Sequence, residues 1–273
     1  MFVPHLFATE SLHIVLPVAP IFTIGPLEVT NSILGGIFGT AVLLALFGYA
    51  VRMIRKHKYN RLVGAMQWAF EGMYKAVFSI IPDKKMAQNI APLAVTIFFT
   101  VMITYWVSIL PGVGESITWH GAPLLRGLPT DLNFTFALAI ISMLAAQYYA
   151  IRVHGIFGNA KRYFINPFKN PIGTFEGFLE FIGEFSRGVA LSLRLFGNAF
   201  AGEVLLLIAG VLTGYFASLS LPIFMAFELF IGFIQAYVFY ILTLIFASLA
   251  TATHGGSHAH SAEVTSREVA QTE

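Results

Sequence analysis

The sequence predicts an all-α polytopic membrane protein, with about five membrane-crossing helices and one amphipathic surface helix. Three observations predict it. Charged residues make up only 11% of the 273-residue chain, against about a quarter in globular proteins. Hydrophobic residues reach 57%, and mean hydropathy is +0.75. The apolar residues fall in stretches of spanning length that end at basic or Pro/Gly-rich segments. A soluble domain this poor in charge could not cover its own surface. The 27 Phe suit lipid-facing and helix-packing surfaces. A net charge of +2 is too small to argue for nucleic-acid binding. The chain has no Cys, which excludes disulfides and thiolate metal sites.

Residues 1–30 are mixed and punctuated by Pro4, Pro17, Pro20 and Pro26, and read as an extramembrane arm. The start lacks a basic n-region and a small-residue cleavage site, so no signal peptide is expected. Residues 31–252 read as one transmembrane domain. Asn31 or Ser32 is the expected cap of a first helix running to about Val51. Residues 52–61 hold the densest basic cluster, which the positive-inside rule puts in the cytoplasm, with the N-terminus outside. Residues 62–81 carry Gln67, Trp68, Glu71 and Lys75, the pattern of an amphipathic helix lying on the cytoplasmic surface. A second apolar helix, 89–110, stops at Pro111-Gly112-Val113-Gly114. Residues 111–131 form an outside loop, and a third helix covers 132–153.

The next loop is basic again, with Arg152, Lys161, Arg162 and Lys169, and closes at Asn166-Pro167 and Asn170-Pro171. From residue 173 to about 216 no strong breaker interrupts the helical pattern. That is roughly 44 residues, or about 66 Å of helix, against a hydrocarbon core of about 30 Å. The segment must tilt strongly or bend. A turn near 218–222 leads to a last helix over 223–250, so 173–252 reads as a long tilted hairpin. Residues 253–273 form a polar cytoplasmic tail. Its His254, His258 and His260 read as an unstructured tail rather than a metal site. No internal repeat is visible.

Arg194 is the most informative residue. An Arg at the centre of a membrane helix costs roughly 2.5–3.5 kcal/mol on insertion scales, and apolar residues flank this one on both sides. Glu180, Glu184, Arg187, Leu191, Arg194, Asn198 and Ala201 are spaced 4, 3, 4, 3, 4 and 3 apart. At 3.6 residues per turn all seven fall within about 100° of one another. Such a stripe faces a protein partner or water rather than lipid. Small residues beside it, among them Gly188, Ala190, Gly197 and Gly202, allow close helix approach.

Glu203 lies nine positions from Arg194 and so points to the opposite side. On the last helix Glu228 and Gln235 share a face. An antiparallel hairpin could bring Glu203 near Glu228 and Arg194 near Gln235. Close carboxylates suit a proton relay, although Glu203 and Glu228 could also be a plain outer-interface pair. Asp131 and Asn133 could cap the third helix as readily as line a channel. Glu180 and Glu184 could be a solvated helix start. No nucleotide, zinc or nucleophile motif is present.

The string Ser192-Leu193-Arg194-Leu195-Phe196-Gly197-Asn198, followed by Ala201-Gly202-Glu203, resembles subunit a of the F-type ATP synthase membrane sector. Gln235-Ala236-Tyr237-Val238-Phe239 is similar to that family's terminal helix, and Pro129-Thr130-Asp131-Leu132-Asn133 to its Asp-x-Asn segment. The likeness covers about residues 30–250. It implies a proton-translocating stator, not catalytic alone and without a cofactor, in a bacterial plasma membrane. Its implied partners are a ring of proteolipid c subunits, peripheral-stalk b subunits and a soluble ATPase head. By resemblance, Arg194 faces the ring, Glu203 lines the outer half-channel and Gln235 lies close to the Arg. Glu180 and Ser186 belong to the cytoplasmic exit side. Some relatives place His where this chain has Glu228, so the relay here would run carboxylate to carboxylate. The alternative reading is a secondary transporter with an Arg-centred anion site. It predicts inverted repeats and broken helices, which the sequence does not display.

Overall fold

Four helical stretches are long and apolar enough to cross a membrane, and the last of them is 80 residues long. It contains two helices joined by a single tight turn, so the expected multi-pass all-α architecture holds. The computed structural model describes residues 20–24, 27–81, 83–110, 113–119, 122–163 and 171–251. The start of the arm, the Asn166-Pro167 segment and the His-containing tail lie outside the described residues.

The arm ends in a hairpin, β1 (Pro20–Ile24) against β2 (Leu27–Thr30). Helix α1 spans Asn31–Arg55 and α2 spans Arg61–Ile80. Helix α3 spans Lys84–Ile109. A second hairpin, β3 (Gly114–Trp119) with β4 (Ala122–Leu125), occupies the expected loop and leads into a 3-10 turn at Leu128–Thr130. Helix α4 spans Leu132–Tyr163, α5 Pro171–Thr213 and α6 Ala217–Thr251.

Several helix ends differ from the sequence reading, each for a local reason. Thr30, not Asn31 or Ser32, caps α1, its side chain accepting from the Ile33 N–H. Asn31 and Ser32 are buried residues of the first turn. Asp83 caps α3, which therefore starts five residues earlier than expected and contains Pro92. The turn between α5 and α6 lies at Gly214–Phe216, not at 218–222. Gly214 has φ +47°, a conformation natural to glycine, whereas Pro222 sits inside α6. Helix α4 is two helices joined at Gly155, whose φ 72° and ψ 165° are not helical, so the apolar helix stops close to the expected Val153 and a short helix continues to Tyr163.

The core lies between α3 and α6. Tyr105, Phe98, Phe99, Phe239, Tyr240 and Leu244 are all buried there. Helix α6 is central and touches α2, α3, α4 and α5. Helix α2 buries Val63, Met73 and Val77 and leaves Trp68 exposed, as an amphipathic helix should. The Tyr240 hydroxyl donates to the Met73 carbonyl at 2.6 Å, which ties α2 to α6. Hydroxyl pairs stitch the remaining helices: Ser142 to Thr243 at 2.9 Å, and Ser192 to Thr135 at 3.0 Å. In an apolar surround such pairs satisfy groups that lipid cannot.

The start of α1 is docked with almost no clearance. A Cβ on Gly35 would lie 1.9 Å from the Arg126 carbonyl oxygen, and the Arg126 N–H donates to the Asn31 carbonyl at 3.3 Å. Backbone cannot rotate away as a side chain can. Gly35→Ala should therefore cost about 1–3 kcal/mol. Gly48→Ala, with nothing within 4 Å of its Cβ, should be neutral or stabilising. Thermal unfolding of the two purified variants in detergent checks the contrast.

Candidate functional site

The long helix α5 organises the site. Its packed side carries Gly188, Leu191, Ser192, Leu195, Ala199 and Gly202, all buried. Arg194 and Ala201 are exposed, and the rest of the stripe is half-buried except Leu191. The stripe thus runs along the seam between the packed face and the open face of α5. Ala190, Gly197 and Ser186 extend the open face beside Arg194. Among the described residues no hydrogen bond or ion pair engages the Arg194 guanidinium. Glu203 lies on the far edge of the packed arc, about 180° away.

The α5–α6 hairpin keeps one antiparallel register along its length. Ser220 donates to Thr213 at 2.9 Å, Gly210 faces Leu221, Gly202 faces Glu228, and the Arg187 guanidinium lies 5.6 Å from the Phe246 ring centroid. In that register Gln235 is level with residues 195–198, between Arg194 and Asn198. The two helices therefore bring Gln235 to the height of the Arg.

Glu228 is 3% exposed. Its carboxyl occupies the gap left by Gly202, where a Cβ would come within 2.2 Å of Oε2. From the other side Tyr105 of α3 donates its hydroxyl to Oε2 at 3.1 Å. That reach depends on a second glycine, because a Cβ on Gly232 would come within 2.5 Å of the Tyr105 ring. The neighbouring Trp106 donates its indole N–H to the Leu229 carbonyl at 2.9 Å, fixing α3 against α6.

Glu203 takes a different partner. The Arg126 Nε lies 3.9 Å from its Oε2; the Arg side chain is 6% exposed and the Glu side chain 41%. Arg126 Nε also donates to the Thr130 hydroxyl at 3.2 Å. Gly202 and Glu203 are adjacent, so both acids sit at one level of the bundle, each with its own contact. Asp131 accepts from the Asn133 N–H at 2.9 Å and from the Ser32 hydroxyl at 2.7 Å. It caps α4 and ties that helix to α1; the Asn133 side chain is exposed.

At the opposite end Glu184 meets α4. The Tyr163 hydroxyl donates to its Oε2 at 2.6 Å, and Gln147 Nε2 donates to the same oxygen. A cleft lined by Met143, Gln147, Glu184, Arg187 and Phe246 opens beside it. Glu180 is half-buried one turn away, and Ser186 is exposed on the open face.

A family model described as ATP synthase A chain matches residues 34–248. The chain belongs to the ATP synthase subunit a family. It is 32% identical to the ATP synthase subunit a of Aliivibrio salmonicida over 228 residues, covering 81% of this chain and 84% of that one. It is 34% identical to that of Aliivibrio fischeri strain MJ11 over 215 residues, covering 75% and 79% respectively. Members of this ATP synthase family are membrane-sector subunits, not catalytic alone.

Sequence reasoning about this subunit a chain missed Tyr105, Arg126, Gln147 and Tyr163. Tyr and Gln on apolar helices carry little signal by themselves, and Arg126 reads as an ordinary loop cation. Gly202 and Gly232 were the available clue, since each marks a close approach. Tyr105→Phe and Glu228→Gln should each lower thermal stability, and the double variant should show a coupling of about 0.5–3 kcal/mol. Additive losses would mean that the hydroxyl contributes nothing through the carboxyl.

Proposed function

We propose that this chain is the proton-translocating stator of its ATP synthase, working with a ring of proteolipid c subunits. The supporting observation is an arrangement along α5. Two acid clusters lie at opposite ends of the bundle, and Arg194 stands between them on an open face of small residues. Glu203 is nine residues from Arg194 and Glu184 is ten, or about 14 Å and about 15 Å along the axis. Leu191, Leu195 and Ala199, at 2%, 1% and 5% exposure, fill the packed side between the clusters.

In this reading a proton enters from outside past Glu203 and Glu228 and neutralises a ring carboxylate. The neutral site then faces lipid at low cost. After nearly a full turn it reaches the cytoplasmic half-channel near Glu180, Glu184 and Ser186 and loses its proton. Arg194 attracts the bare carboxylate and blocks a direct leak, with Asn198 and Gln235 flanking it. The N-terminus lies outside and the C-terminus in the cytoplasm, in a bacterial inner membrane, as the basic 52–61 segment favours. Peripheral-stalk b subunits and the soluble head complete the assembly. Each proton crossing 100 mV supplies about 2.3 kcal/mol.

Arg194→Ala should abolish proton-driven ATP synthesis in the assembled complex, a loss of at least about a hundredfold for removal of one preorganised charge. Inverted vesicles assayed for synthesis and for ATP-driven acidification check this. Robust synthesis by the variant would falsify the stator reading. Anion transport by the chain reconstituted without a ring would favour the transporter instead.

A further inference from the structure

The end of α4 bends back toward its own body, and Tyr163 beyond the bend and Gln147 before it converge on Glu184. Gly155 makes this possible: at φ 72° and ψ 165° it occupies backbone space that a Cβ disfavours, and it stands in open surroundings. Beyond the bend Asn159 is buried, and its Nδ2 donates to Gln147 Oε1 at 3.0 Å. With the Asn159 amide so placed, the Gln147 oxygen meets the Asn donor. Gln147 Nε2 is thereby aimed at Tyr163 Oη, at 2.8 Å, and at Glu184 Oε2. Tyr163 Oη in turn donates to Glu184 Oε2 at 2.6 Å. Two donors from separate turns of α4 therefore fix one carboxylate oxygen of α5.

On the stator reading above, on which it rests, we propose that Tyr163 and Gln147 are positioning residues for the proton exit: they hold the Glu184 carboxylate at the mouth of the cytoplasmic half-channel. A long, mobile Glu at a helix surface samples many rotamers. Here it is held over the cleft that it shares with Arg187, seven residues and two turns from Arg194 on the same stripe. A proton released by the ring then meets an acceptor already in place. Among the described residues, the charged and titratable groups around Glu184 are Glu180 and Arg187 on its own helix and Tyr163 on α4. Helix α6 faces it with Phe246 and Leu249.

The test uses the assembled complex in inverted vesicles, with passive proton flux measured against pH after removal of the soluble head. Tyr163→Phe keeps the ring, whose centroid lies 6.2 Å from that of Phe181, and deletes only the hydroxyl. It should lower flux about three- to tenfold, the rate equivalent of one hydrogen bond, and displace the pH profile. Glu184→Gln should lower flux as well, and adding Tyr163→Phe to it should lower flux no further. Gln147→Met should repeat the pattern, and serves where Tyr163→Phe reduces the amount of complex. Independent, multiplicative losses in the double variants would overturn the proposal. So would wild-type flux and an unchanged pH profile in both single variants while Arg194→Ala is inactive; that result leaves the stator reading standing. Synthesis persisting in Arg194→Ala removes both.

Discussion

The contact between Gly202 and Glu228 sets the relations on which the site depends. Helix α5 can approach α6 here only because residue 202 has no Cβ, and the carboxyl of Glu228 fills the space. That approach locks the register of a hairpin whose turn is set by Gly214. Everything else on the two helices follows by rise and rotation. Gln235 comes level with the Arg194–Asn198 stretch, and Arg187 comes over Phe246. A slip of one residue would rotate the stripe by 100° and carry Arg194 away from its open face.

The bundle treats its charges unequally. Arg126 is nearly sealed from solvent, yet it has Glu203, Thr130 and the capped start of α4 about it. Glu228 is buried and has the Tyr105 hydroxyl. Glu184 is tied to α4. Arg194 has no such company among the described residues, although an unpaired cation in the plane of a membrane is costly. In the proposed reading, that cation is placed for a partner outside the chain. The small residues beside it give that partner close access.

Much of this was legible in the sequence, because membrane helices announce themselves by apolar length and stripes by spacing. The five apolar helices, the amphipathic α2, and the opposition of Arg194 and Glu203 around α5 all follow from counting residues. The two hairpins do not. Stretches such as Leu27-Glu28-Val29-Thr30 are too short to carry a period, and their pairing is a tertiary fact. The α5–α6 turn was misplaced because Pro222 is a louder sequence signal than Gly214, although a proline early in a helix loses one donor and a glycine at positive φ reverses the chain. The partners of the acids were hidden for another reason. Tyr105 is 123 residues from Glu228, and Arg126 is 77 from Glu203, so no local pattern could join them.

The packed face of α5 also bears on how the two acid clusters can communicate. Between Glu228 and Glu184 the helix presents Leu195 and Leu191 to the bundle, with Ala199 and Gly188 filling the narrow places. The buried hydroxyls nearby, Ser192 with Thr135 and Ser142 with Thr243, are bonded to one another. On α5 no carboxylate or His lies between Glu184 and Gly202, a stretch of about 27 Å of helix. On the open face of α5 the ionisable group at that depth is Arg194, which does not give up its proton. In the proposed reading, a proton that reaches Glu203 and Glu228 passes to Glu184 on a carrier that leaves the chain, travels past the open face and returns. In that reading the rotating ring is the carrier, and the packed face of α5 keeps the two acid clusters apart.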